Sequence, residues 1–179
     1  MKTTALLGLC ALATFASASD VVLETPVTYH PSAGVVDKVK EECKIEQMLA
    51  SRVAPVLKRR NKGEATVAAG ADAGDASVLR LQITHVLGVG GGGWSGPKAI
   101  TVNAELLERG KVVRQTRINR WSTGGMWGGF KGTCSILDRC AVAIGKDLGR
   151  WVGDPAYKIE DEAAPKGAET ADAKPEAAQ

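Results

Sequence analysis

The plainest pattern in the chain is an alternation of apolar and polar positions in two runs, 79–84 and 100–106. Leu79, Leu81 and Ile83 alternate with Arg80, Gln82 and Thr84, and Ile100, Val102, Ala104 and Leu106 alternate with Thr101, Asn103 and Glu105. A period of two with one apolar face predicts two half-buried strands. Glu108-Arg109-Gly110-Lys111 interrupts the second run. Gly110 accepts the positive φ that a tight hairpin needs, so a third strand over 112–121 is expected to fold back. Arg114, Arg117 and Arg120 weaken the alternation of that strand and place it near a sheet edge. Upstream, residues 21–30 are β-prone, but Pro26 lacks a backbone donor and allows only an edge or interrupted strand. A further short strand is expected around Ala65, Thr66 and Val67.

Two stretches carry the helical period instead. Ile45, Met48, Leu49, Arg52, Val53, Val56 and Leu57 recur at three and four residues, in a helix beginning between Gly34 and Cys43. Lys58-Arg59-Arg60 suits its negative dipole end, and Pro55 is expected to kink it. In the second helix, Ser135 and Asp138 form an S-x-x-D variant of the capping box. Ile136, Leu137, Cys140, Ile144, Leu148 and Trp151 line one face, and Gly153 and Pro155 stop it. The order β-α-(β)-β-β-β-α predicts an α+β fold: a mainly antiparallel sheet of four to five strands with two helices packed on one face.

The chain ends change the domain count. Lys2, the apolar run from Ala5 to Phe15 and the small residues Ala16-Ser17-Ala18 read as a secretory signal over 1–18, cut before Ser19. Cys10 leaves with it; Leu9 before that cysteine does not fit a bacterial lipid-attachment site. From 159 to 179, Ala, Glu, Lys and Pro without hydrophobic period read as a disordered acidic tail. One α+β domain remains over 19–158. Glu160, Asp161, Glu162, Glu169, Asp172 and Glu176 against Lys166 and Lys174 give the tail a net charge of −4, which leaves +6 on 19–158 once Lys2 is gone. No apolar run reaches the ~20 residues of a spanning helix. No dense basic run interleaved with aromatics appears, so nucleic acid is not an expected partner.

Glycine and tryptophan concentrate in two loops. Residues 88–98 and 122–133 hold eleven of the 21 glycines, together with Trp94, Trp127 and Phe130. Two successive reversals make strands 78–87 and 112–121 run the same way, so both loops should leave one end of the sheet. Trp94, Ser95, Lys98, Trp127, Phe130 and Lys131 are therefore the candidate binding residues, suited to a sugar face, an acidic polymer or a protein partner. The bland alternative is that the aromatics plug the loops from beneath. The glycines do not make a phosphate loop: Lys98 follows Pro97 and a strand comes next, where a P-loop requires a helix. Catalytic signals are poor. His30 and His85 are the only histidines and neither has metal-ligand spacing; His85 falls in phase with Leu81 and Ile83 and reads as a sheet histidine. Ser95 in Gly-Trp-Ser-Gly-Pro lacks the strand–turn–helix setting of a nucleophile elbow. No enzyme, metal or cofactor is indicated.

Three cysteines remain after processing, and an oxidising compartment favours one bridge. Cys140 shares the apolar face of the second helix and reads as a buried hydrophobe. If both helices follow parallel strands over one sheet face, their first turns lie at the same end. That makes Cys43–Cys134 the expected bridge, with Cys43–Cys140 as the alternative.

The stretch Leu79–Val152, with Gly-Gly-Gly-Trp-Ser-Gly-Pro-Lys98, the Arg-Gly-Lys-Val turn and Lys131-Gly-Thr-Cys-Ser-Ile-Leu-Asp-Arg-Cys140, resembles uncharacterised exported proteins of Gram-negative bacteria. More distantly, its element order is similar to DUF4410-type lipoproteins and the TolB N-terminal domain. The resemblance implies a periplasmic location, secretion being the alternative, and a binding or assembly role rather than a chemistry. The expected function is non-enzymatic binding of an envelope protein or an anionic or glycan polymer through the two loops. An envelope hydrolase or transferase with its site in the same cleft is the competing reading, and a purely structural, self-associating protein is a third.

Overall fold

The computed structural model describes residues 19–88, 96–123 and 132–165. The expected signal 1–18 and the tail beyond 165 lie outside them. Along the described chain run β1 (Val21–Thr25), β2 (Thr28–Tyr29), α1 (Asp37–Cys43), α2 (Ile45–Lys58), β3 (Thr66–Ala68), β4 (Ser77–Leu87), β5 (Lys98–Glu108), β6 (Lys111–Ser122) and α3 (Thr133–Gly153). The strands form one mixed sheet of six in the order β3-β1-β4-β5-β6, with β2 also on β4. The fold is α+β as expected. Its sheet is larger than the four to five strands anticipated, and it is antiparallel only across β4-β5-β6: β1 pairs in parallel with β3 and β4, and β2 in parallel with β4.

Three helices replace the two expected because the first helical stretch breaks at Lys44. That residue takes the left-handed conformation (φ 46°, ψ 58°), ends α1 and precedes α2. Pro55 does not end the helix; α2 continues through it to Lys58. Its lost backbone bond would go to Ser51, and both residues are exposed, so water can take the orphaned carbonyl. The expected capping box is also not formed. Gly132 precedes α3 without a side-chain cap, Ser135 lies inside the helix, and Asp138 instead takes two hydrogen bonds from Arg52 of α2, at 2.7 and 2.6 Å.

The core lies between the sheet and the helices. Leu23, Leu79, Leu81, Ile83, Ile100, Val102, Ala104 and Ile118 face Leu49, Val53 and Leu57 of α2 and Leu137, Ala141, Ile144 and Leu148 of α3. Since β1 and β6 run the same way, the helices that follow them run back side by side. The seam between them is lined by Gly145, Gly149 and Gly153, spaced four residues apart on one face of α3. A Cβ on Gly145 would stand 2.9 Å from the carbonyl oxygen of Arg52, and one on Gly149 would overlap the Val56 side chain. The helices approach this closely because α3 has no side chains there. This device is visible in the sequence as Gly-x3-Gly-x3-Gly and was not anticipated.

The alternation in β4 carries a second correction. The pairing slips between Ile83 and His85, so Ile83 opposes Val102 while His85 opposes Thr101. Thr84 is the extra residue, and it turns His85 to the face away from the helices, with Val86 taking the core side.

Candidate functional site

The pole anticipated for the two loops can be built from their roots. In β4-β5-β6, Leu87 opposes Ala99, which opposes Trp121, and Lys98 opposes Ser122. The exit of β4, the entry of β5 and the exit of β6 are therefore neighbours at one end of the sheet. Gly132 and the first turn of α3 return to the same end. The convergence of the loop roots inferred from strand polarity is thus present in the fold. Trp94, Ser95, Trp127, Phe130 and Lys131 lie outside the described residues.

Lys98 is described, and it is not a surface cation. It is fully buried at the start of β5. Two residues before Ile100, it stands on the helix-facing side of the strand. Burial pushes its ammonium below the ordinary lysine range. It belongs to the foundation of the pole rather than to its exposed rim.

Three features fix that foundation. Cys43 and Cys134 form the expected disulfide, with Cα atoms 5.0 Å apart, tying the end of α1 to the first turn of α3. The alternative with Cys140 is not formed; Cys140 remains a thiol, fully buried under α3. Burial first, and the Glu162 carboxylate second, push it up to about 12, which removes it from nucleophilic chemistry at neutral pH. Below the pole, Arg120 of β6 donates to Asp147 of α3 at 2.6 Å, with both side chains largely buried. Finally, a Cβ on Gly88 would stand 2.8 Å from the methyl groups of Val39, so the root of the first loop packs directly on α1.

Chemistry-bearing groups elsewhere are sparse. Among the described residues, no group of three or more His, Cys, Asp or Glu could hold a metal ion, and no helix is long and apolar enough to cross a membrane. A groove of about 660 Å³ runs between β2 and the α1–α2 junction, lined in part by Pro26, Tyr29, Lys40, Lys44 and Glu46. There the Tyr29 hydroxyl is buried, with no partner of hydrogen-bond geometry among the described residues. Burial and then the neighbouring Glu46 carboxylate raise its pKa, so it stays protonated.

The C-terminal segment contributes a feature the sequence reading missed. Ordered contacts continue past 158. Tyr157 and Ile159 pack against the core. The Asp161 carboxylate accepts the N–H of Asn119 at 3.0 Å and a guanidinium N–H of Arg117 at 2.9 Å, and Glu162 accepts the N–H of Trp121 at 3.1 Å. Part of the acidic run thus lies along the outer edge of β6 and ends beside the pole.

No family model matches the chain, and no curated protein matches it. Among solved structures, it is similar to a PelC dodecamer from Paraburkholderia phytofirmans, with a TM-score of 0.48 at 18% identity, over 72% of this chain and 87% of that one. It is also similar to a Xanthomonas campestris protein described as DUF330, with a TM-score of 0.47 at 14% identity, over 76% and 86%. A Caulobacter crescentus lipoprotein candidate gives 0.36 at 17% identity, over 63% and 86%. These descriptions differ from the DUF4410-type and TolB-like domains expected from the sequence. At this level of likeness neither activity nor assembly passes from those proteins to this one.

Proposed function

We propose that the chain is an exported, non-enzymatic binding or assembly protein of the bacterial envelope, whose contact surface is the pole from which both Gly/Trp-rich loops spring. The observation that carries this reading is the register that sets Leu87, Ala99 and Trp121 in one row and Lys98 beside Ser122. Two loops with three aromatic residues between them are thereby rooted within a few strand widths on a disulfide-braced base. A braced base limits the ordering cost of binding, and buried aromatic anchors carry much of the binding energy in such surfaces. Export is supported by the N-terminal segment and by the bridge itself, since disulfides persist in oxidising compartments.

The test compares the wild-type chain with the Trp94→Ala, Trp127→Ala double variant in capture from envelope extracts, alongside thermal melting of both. Loss of capture with an unchanged melting temperature is the expected outcome. An unfolded double variant would identify the tryptophans as loop plugs, and undiminished capture would move the contact surface elsewhere.

A further inference from the structure

Among the described residues β6 is the last strand on its side of the sheet, and no described strand pairs with its outward backbone groups. The strand carries Lys111, Arg114, Arg117 and Arg120 and not one carboxylate. Near its exit the edge is already occupied. The chain's own Glu160-Asp161-Glu162 lies along it, with carboxylates on the N–H groups of Asn119 and Trp121 and on the Arg117 guanidinium. The Glu160 carbonyl takes a further bond from Arg120 at 2.8 Å. The molecule thus contains one example of what this edge accepts: an extended acidic stretch that offers carboxylates to outward amides and their neighbouring cations.

Nearer the hairpin the edge has no backbone partner among the described residues. By strand alternation, Gln115 and Arg117 point their N–H groups to the same side as Asn119. Among the described residues, no hydrogen bond reaches them there. Val113 is the extra residue of a bulge opposite Leu106 and Leu107. Val112 and Val113 are 48% and 47% exposed, and they are two of the three large hydrophobic side chains exposed among the described residues. Arg109 and Lys111 stand beside them, lining a cleft of about 580 Å³ with Asp75, Glu108 and Val113. A long edge strand with exposed valines is a template for strand addition unless something blocks it. Pairing with a second copy is disfavoured, because antiparallel β6 strands would set lysine and arginine against lysine and arginine.

We propose that the outer edge of β6 from Lys111 to Arg117 takes an extended, acidic strand of a partner protein, adding a strand to the sheet. Backbone pairing gives the attachment, the valines give apolar contact, and Arg109 and Lys111 favour acidic over basic sequences, Arg114 being held by the Trp151 and Asp154 carbonyls and Arg117 by Asp161. The site is separate from the loop pole and stands whether or not that pole binds anything.

Two synthetic peptides test it on the full disulfide-bonded chain: the acidic strand Thr-Glu-Val-Asp-Val-Glu-Thr and its counterpart with lysine at the three charged positions. The acidic peptide is expected to bind saturably, to weaken as salt rises, and to slow amide exchange at Gln115 and Arg117 at least tenfold. The lysine peptide should do none of this. Gln115→Pro, which removes an outward donor, and Val113→Glu, which repels the incoming acid, should each reduce binding at least tenfold with the melting temperature unchanged. Equal binding of both peptides, no binding of either, protection elsewhere than on β6, or full binding by a folded Val113→Glu variant would each overturn the assignment.

Discussion

Along the seam between α2 and α3, contact is made by removing side chains. Gly145 brings its helix against the backbone of Arg52, Gly149 receives Val56, and the Cys43–Cys134 bridge closes the end nearest the pole. Along the outer edge of β6, the segment that follows α3 makes contact by adding charge: Asp161 and Glu162 reach backbone amides, Asp161 also meets a guanidinium, and the pair with Arg117 stays about half exposed. The glycine contact is short-range, so it is intolerant of one added methyl group and, apart from the Arg52–Asp138 pair beside it, little affected by salt. The second is screened, reversible and tolerant. The difference teaches where this fold is fixed and where it can exchange partners.

Four measurements can break or sharpen that contrast. The largest loss of stability is expected from Cys43→Ala with Cys134→Ala. The bridge spans 91 residues, and removing it should cost about 2–5 kcal/mol, read by urea unfolding without reductant. A loss below 1 kcal/mol would mean that the glycine seam alone holds the helices. Next comes Gly145→Ala. Alanine favours a helix by about 1 kcal/mol over glycine, yet the added Cβ meets backbone that cannot rotate away, so a net loss of about 1–3 kcal/mol is expected. Stabilisation instead would show that the seam has slack.

Asp161→Asn with Glu162→Gln should cost under about 1 kcal/mol at low salt and almost nothing at 0.5 M salt. Hydrogen exchange should quicken at Asn119 and Trp121 while the seam amides stay protected. If the seam amides quicken too, the two regions open as one unit. The last effect is silent at neutral pH and appears only in alkali. Cys140 is raised from its ordinary value of 9.0 to about 12 in the folded chain, so its contribution to stability is complete below 9 and is lost as pH climbs from about 9 to 12. At neutral pH the native thiol should resist iodoacetamide, and Cys140→Ala should remove the part of the alkaline destabilisation that this thiol causes.

Much of the architecture was legible because it rests on local periods. Strands β4 and β5 follow from alternation, and the buried face of α3 from three- and four-residue spacing. The disulfide followed from two separate facts, an oxidising destination and helices running from the same end of the sheet. What escaped were events that a period cannot encode. The extra residue at Thr84 leaves no compositional trace but turns His85 from one face to the other. Lys44 breaks the first helix with no glycine or proline to announce it, while Pro55, the obvious breaker, sits where its orphaned carbonyl faces water. Of the candidate site, strand polarity revealed the convergence of the loop roots. It gave no warning that Lys98 would be buried.

By itself, then, the sequence determined which residues face inward on the long strands, save at the Thr84 bulge and at Lys98, and on the helices, where the hairpin turns, which cysteine is buried and which two can meet. Each of these depends on neighbours within a few residues or on the direction of whole elements. The tertiary structure alone decided the parallel pairing of β1 with β3 and β4, the glycine seam, the burial of Lys98, and the use of Asp161 and Glu162 as cover for a sheet edge. These depend on which distant surface comes to lie opposite, and a charge or a glycine acquires its role only from what stands across from it.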